Sequence, residues 1–332
     1  MAVTPTAALV QTLNGIQFGF ILFMIASGLT VILGILDVLN LAHGELFSLG
    51  AYTAIGVFGF IIGVIGPPGG GVVGTAVFVL AVLAAVLITA AILLPVGTIF
   101  EAVFLRQIYD RDQVYQLVLT FALLLILLDV KKFIWGDSSI RTDAVYSAIN
   151  TIPTSELVGL NYPTYNVFVI LVGSVVVVGL FWFFERTKTG RIIRATAIDR
   201  EMATAIGVST DSVFTLVFAL GAFLAGFAGA MAVPPTSATL EMGTNPLVLS
   251  FVVIVIGGLG SLRGAFVGAL LVATGPTVVT PILEVVPTRD RVEAALETEG
   301  IVNDVTAAIL AVVIFEAIIS DITEPAALLT LF

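Results

Sequence analysis

Long, unbroken apolar runs set the pattern of this chain. Residues 16–36, 46–65, 72–95, 114–134, 164–184, 213–233, 265–286 and 302–320 are each mostly apolar. About 20 such residues in a helix cross roughly 30 Å of hydrocarbon. The runs are continuous rather than alternating, so they predict membrane helices and not the strands of a barrel. A shorter apolar run, 247–260, ends in Gly257, Gly258 and Gly260. It reads either as a short span or as a re-entrant half-helix. The predicted fold is therefore all-α: an integral membrane bundle of eight or nine transmembrane helices, forming one domain over residues 1–332.

The breaks between runs carry turn chemistry. Pro67, Pro68 and Gly69–Gly71 separate the second and third spans, and Pro234–Pro235 end the sixth. Polar loops fall at 135–163 and 287–304. The loop 185–211 holds Arg186, Lys188, Arg191, Arg194 and Arg200, five of the 13 basic residues. Basic loops stay on the cytoplasmic side, which places 185–211 inside. Counting back puts 96–113 inside and the N-terminus outside. The acidic loops then fall outside if 247–260 crosses. Lys131–Lys132, at the outer end of a span, opposes the rule.

Composition narrows the class. The chain has 332 residues, 59% apolar and 11% charged. Mean hydropathy is +1.16. Soluble domains carry about 25% charge, so a soluble globular protein is excluded. There is no cysteine, and His43 is the one histidine. This removes disulfides, thiol nucleophiles and histidine-rich metal sites. The net charge of -10 argues against nucleic-acid binding. Ten Arg against three Lys, on an acidic surface, suit a high-salt, halophilic setting. The first 13 residues lack Lys and Arg. A signal peptide needs a positive start, so the first apolar segment is expected to be retained.

No Walker A loop is present, because no lysine follows a glycine in that context. No catalytic triad or di-metal site can be assembled. Asp129 is the clear aspartate within a span, with Lys132 three residues on at helical pairing distance. Small residues recur every fourth position at Gly221, Ala225 and Gly229, and at Gly260, Gly264 and Gly268. That spacing lets helices approach closely in lipid. Asn40, His43 and Glu45 sit at the start of the second span, where ionisable groups are costly. They read as a translocation path or gate, or as an interfacial helix start with Glu45 near the positive helix end. Residues 190–207 read as one or two short amphipathic helices. Asp199 is a candidate cap, Gly207 a stop, and Ile198, Met202, Ala205 and Ile206 an apolar stripe. This is either a docking surface or a helix lying on the membrane.

Four stretches carry a family resemblance. Asn40-Leu41-Ala42-His43-Gly44-Glu45 with Leu49-Gly50-Ala51-Tyr52 is the first. The loop Gly190 to Gly207 is the second, and Ala219 to Gly229 the third. Ile256-Gly257-Gly258-Leu259-Gly260-Ser261, with Gly264 and Gly268, is the fourth. In this order they resemble the permease subunits of branched-chain amino acid ABC importers, the Liv family, over roughly residues 14–275. The resemblance implies an importer permease without its own ATPase or bound cofactor, with ATP and Mg held by partner subunits. It implies a second permease subunit as hetero- or homodimer partner, two cytoplasmic ATP-binding subunits and an extracytoplasmic binding protein. It assigns Gly190, Arg191, Arg194, Ala195, Asp199, Glu201, Met202, Ala203 and Gly207 to the ATPase-coupling loop. A bulky charge at Ala203 is then expected to abolish uptake without harming insertion. Urea or short-amide permeases of the same family, and a stand-alone ion-coupled carrier or channel, are the alternatives. The tail Phe315 to Phe332, with Glu316, Asp321, Glu324 and Pro325, departs from the family's basic ending.

Overall fold

The computed structural model describes residues 5–66, 72–109, 111–150 and 162–274. The expected span 302–320, most of the 265–286 span, the loop 287–304 and the tail lie outside the described residues.

The apolar runs become long helices, α1 (Pro5–Leu36), α2 (His43–Ile65), α3 (Val72–Ile99), α4 (Gln113–Trp135) and α6 (Thr164–Arg186), and the polar loop after α4 holds a short helix, α5 (Asp143–Ile149). Two short helices follow, α7 (Lys188–Ile198) and α8 (Arg200–Ala205), and then α9 (Thr210–Ala232), α10 (Thr244–Gly257) and α11 (Leu262–Ala273). α1, α2, α3, α6 and α9 contain stretches long and apolar enough to cross a membrane. The α10–α11 pair, bent by 120°, makes up to six such spans among the described residues. α4 covers the predicted 114–134 run but is not among these, and it carries Asp129, Lys131 and Lys132 near its end.

α9 is the hub, with α1, α2 and α3 packed around it. Small residues allow this. A β-carbon at Gly50 would collide with the Gly226 backbone, and one at Gly229 with the Phe47 carbonyl. Gly221 rests against Ile32 and Gly28 of α1. The stripe at four-residue spacing therefore serves two neighbours, α1 through Gly221 and α2 through Gly229, and Gly226 adds a contact with α2. The second stripe works the same way. Gly260 meets Gly34, Gly264 meets Gly257, and a β-carbon at Gly268 would sit 2.8 Å from the Val253 carbonyl. Positive φ at Gly258 (88°) and Gly260 (74°) lets the chain reverse between α10 and α11. On the far side of α1, Phe23, Phe181 and Phe266 form an aromatic cluster, with Phe23 and Phe266 edge-to-face at 5.3 Å. The outer faces of α3, α4 and α6 show Leu80, Ile92, Val118, Phe133 and Val175 to the surroundings, as a lipid-facing or subunit-facing surface would.

Two helices begin inside the bundle rather than at its ends. Asp37, at φ 54°, ends α1, and residues 37–42 turn back alongside it. His43 then meets the carbonyl of Ile25 at 3.0 Å. Ile25 lies 11 residues before Leu36, about 16 Å along α1 at 1.5 Å per residue. α2 therefore starts near the middle of the bundle. α10 does too, because Gly243, just before it, abuts Gly44 backbone to backbone. α10 then runs to the end of the bundle where Gly260 touches Gly34. That same end holds α7, α8 and Arg106, since Arg263 pairs with Glu185 and Arg106 with Thr215. The 247–260 run is thus a short helix completed by the non-helical stretch 233–243. At the opposite end Ile140–Arg141 pair antiparallel with Ser237–Ala238.

Candidate functional site

The basic loop folds into two capped helices. The Thr187 hydroxyl accepts the Gly190 N–H at 3.0 Å and starts α7. Gly190 lies so close to α6 that a β-carbon would sit 2.6 Å from Phe184 Cα, which fixes how α7 leaves the bundle. Ile193 and Thr196 are buried on its inner side. Asp199 accepts the Met202 N–H at 2.8 Å and starts α8. Gly207, at φ 90°, closes the segment, its N–H bonded to the Thr204 carbonyl at 3.0 Å. Arg191, Arg194, Ala195, Asp199, Glu201 and Met202 are exposed.

The apolar stripe of this loop points outward. Ile198 is 87% exposed, Ile206 72% and Met202 59%. Ala203, which lies outside that stripe, is buried, at 3%. This burial bears on the expectation that a bulky charge at Ala203 abolishes uptake without harming insertion. Such a side chain has to force its way into the chain's own packing. The outward Ile198, Met202 and Ile206 are the residues placed to meet something else.

Behind α8 lies a polar network. The Arg200 guanidinium stands over the Phe214 ring at 4.8 Å, and Tyr109 meets that ring edge-on at 5.2 Å. The Tyr109 hydroxyl donates to Glu101 at 3.2 Å. Burial and the Glu101 carboxylate push the Tyr109 hydroxyl up, so it stays protonated and available as that donor. Glu101 is fully buried. It also accepts from Arg106 at 3.0 Å and from the Thr215 hydroxyl at 2.5 Å. It sits in a π-helical turn, Phe100–Phe104, that follows α3. Beside the network is a polar cavity of about 540 Å³, lined by Leu36, Asp37, Tyr109, Arg111, Gln116 and Arg200 among others.

The second group of residues lies mid-bundle. Asn40 and His43 are buried, and Glu45 is buried at the first turn of α2. Because the Ile25 carbonyl can only accept, His43 Nε2 carries the proton and Nδ1 is left as an acceptor. Glu45 forms an ion pair with Lys131 of α4. The Lys131 ammonium also donates to the Ser48 hydroxyl at 2.7 Å and the Leu240 carbonyl at 2.8 Å. The start of α2 is therefore not an interfacial helix end. It is enclosed.

The residues of the Gly190–Gly207 segment and the mid-bundle residues are separate groups; the fold does not bring them together. Lys131 and Glu101 escape a reading of the sequence by runs and motifs. Lys131 left a trace, because it opposes the positive-inside pattern; burial against Glu45 resolves that conflict. Lys132 pairs with Asp137 at 3.1 Å rather than with Asp129, which is exposed. Glu101 is signalled only by a lone acid late in an apolar run. Among the described residues no three metal-ligating side chains cluster.

Comparison with known proteins adds the family. Residues 11–317 match the family described as the permease component of the branched-chain amino acid transport system. The high-affinity branched-chain amino acid transport system permease protein LivH of Escherichia coli (strain K12) is 26% identical over 267 residues, covering 79% of this chain and 82% of that one. BraD of Pseudomonas aeruginosa, named as the permease protein of the same kind of system, is 27% identical over 271 residues, with the same coverage of 79% and 82%. The fructose import permease protein FruF of Bifidobacterium longum is 34% identical over 114 residues, 32% of each chain. No solved structure matches the chain.

Proposed function

The chain belongs to the family of branched-chain amino acid transport permeases, and from that premise we propose that it carries branched-chain or other aliphatic amino acids across the cell membrane in an ATP-driven importer. It is a multi-pass membrane permease subunit. The observation that carries the reading is the family match over residues 11–317. A second permease, two cytoplasmic ATP-binding subunits and an extracytoplasmic binding protein complete the assembly in this reading. ATP and its Mg belong to the ATP-binding subunits.

The α7–α8 segment is the proposed coupling loop. Ile198, Met202 and Ile206 would dock into an ATP-binding subunit, with Arg191, Arg194 and Glu201 at the rim. Movement of α8 would reach α9 through Arg200 on Phe214, and α3 through Tyr109 and Glu101. Asn40, His43 and Glu45 would lie along the path. An ion-coupled carrier usually shows unpaired buried carboxylates or broken helices, and of these the chain shows the break between α10 and α11. Glu45 is held by Lys131, and Asp129 is exposed.

Uptake of labelled leucine by cells with the gene deleted and then restored tests the function. Loss and recovery that follow cellular ATP support it. Leucine uptake that is unchanged by deletion would overturn the leucine assignment and move the reading to urea or short amides. The docking assignment is tested by Met202→Glu and Ile198→Glu. A substitution at an exposed position away from packing shifts stability by less than about 0.5 kcal/mol. Both variants should therefore insert normally, lose the ATP-binding subunit on purification and lose uptake. Full uptake in both would remove the docking role.

A further inference from the structure

Glu45 and Lys131 are an ion pair inside an apolar bundle, 4% and 0% exposed at their side chains. Removing two charges from water is costly and is compensated only while each keeps its partner. Ionisable residues at such depth mark ligand paths more often than stability devices. Along the chain on either side of Glu45, buried polar atoms lack partners. Asn40 Nδ2 and Oδ1, His43 Nδ1 and the Tyr52 hydroxyl make no hydrogen bond. All four belong to the short stretch from Asn40 to Tyr52, and native interiors leave few such atoms unmatched. Tyr52 holds its ring 5.8 Å from the Lys131 ammonium and packs on Trp135 at 5.3 Å.

We propose that Glu45, Lys131 and Tyr52 form the site that selects a zwitterionic α-amino acid, which binds by exchanging with the internal ion pair. The inference rests on the importer reading above. The substrate ammonium goes to the Glu45 carboxylate. The substrate carboxylate goes to the Lys131 ammonium and the free Tyr52 hydroxyl. Trp135 and the Tyr52 ring offer an apolar wall to an aliphatic side chain. The charge arithmetic sets the ligand class. A ligand that parts Glu45 from Lys131 has to bring one charge of each sign, or it leaves two unpaired charges in the membrane. A zwitterion does this; urea, neutral amides and sugars do not.

The surrounding elements can accommodate the exchange. α2 and α10 both begin beside the pair after non-helical stretches, and Lys131 bonds the Leu240 carbonyl of the stretch before α10. Helices broken at mid-membrane are a recurrent frame for substrate sites in carriers.

The test uses the whole importer, with this chain and its partner subunits, in vesicles. Leucine uptake is measured against competition by 4-methylpentanamide, which has the shape of leucine's side chain but no charge. The variants are Glu45→Gln with Lys131→Met together, and Tyr52→Phe alone. If the pair is only a clamp, the neutral double variant keeps the native KM, because buried pairs are replaced by neutral groups at little cost. If it is the zwitterion site, KM for leucine rises about tenfold or more, as expected for losing a charge-assisted contact, and the neutral amide begins to compete. Native KM and selectivity in the double variant would overturn the proposal. Should the double variant fail to assemble, Tyr52→Phe decides: a several-fold rise in KM supports the site, and an unchanged KM overturns it. Native importer that takes up no amino acid would instead remove the importer reading, and this inference with it.

Discussion

Single residues show how little slack the bundle has. A β-carbon at Gly229 would run into the Phe47 carbonyl, and backbone atoms cannot swing aside as a side chain can. Overpacking of this kind costs about 1–3 kcal/mol or more. Gly229→Val should therefore lower the thermal unfolding midpoint in detergent and the amount of inserted protein. A native midpoint would mean that α2 and α9 can separate freely. Glu101 gives the polar counterpart. It serves Arg106, Thr215 and Tyr109 at once. Glu101→Ala would strand those donors, at about 1–3 kcal/mol for each one that stays buried. Glu101→Gln keeps one acceptor oxygen and should fall between Ala and native in the same unfolding measurement. Equal stability of the Ala and native proteins would show that the network holds nothing. Neither contact is written in local sequence. Gly229 is legible as a small residue at helical spacing, but its partner is not. Glu101 is legible only as an isolated acid.

At the scale of elements, the short helices were the most readable part of the chain. Asp199, through its side-chain carboxylate, and Gly207, through its N–H, start and stop α8 by bonds made within a few residues, and local chemistry is what sequence records best. Which face of α7–α8 turns outward depends on the rest of the fold. Ile193 and Ala203 turn in, while Ile198, Met202 and Ile206 turn out. This division predicts opposite behaviour from two similar substitutions. Ala203→Glu should lower stability and insertion together with uptake, because it drives a charge into packed surroundings. Met202→Glu should spare stability and remove uptake alone. Thermal unfolding in detergent, measured beside uptake for both variants, separates them. If Ala203→Glu is as stable as the native chain, α8 is not seated as described. The α10–α11 pair is the converse case. Its glycines forecast a break, but either a span or a re-entrant half-helix fitted them. The contacts of Gly260 with Gly34 and of Arg263 with Glu185 carry α10 to the α7–α8 end.

Across the whole molecule the two ends of the bundle differ in chemistry. One end gathers α7, α8, Arg106 and Arg263; the other carries the paired strands around Ile140 and Ala238. The excess of Arg and Lys at the first end predicts, under the positive-inside rule, that it faces the cytoplasm. The absence of cysteine from the sequence makes this directly testable. Glu201→Cys and Ser138→Cys sit on exposed positions at opposite ends. A membrane-impermeant thiol reagent added to intact cells should label Cys at 138 and not at 201, and opened vesicles should expose both. Labelling of 201 from outside would invert the topology and with it the docking surface.

The sequence by itself determined that this is a helical membrane protein, where most of its helices lie, how its short helices are capped, and which permease family it belongs to. Those properties rest on hydropathy, on turn chemistry and on motifs carried within a few neighbouring residues, so they survive without knowledge of the fold. The tertiary structure alone decided that α2 and α10 begin inside the bundle, that Glu45 meets Lys131, that Glu101 gathers three donors, and that the apolar stripe of the α7–α8 segment faces away from the chain. Each of these joins residues far apart in sequence. A lysine at one helix end and a glutamate at the start of another are two isolated charges until packing sets them side by side, and only then does burial make each the other's required partner.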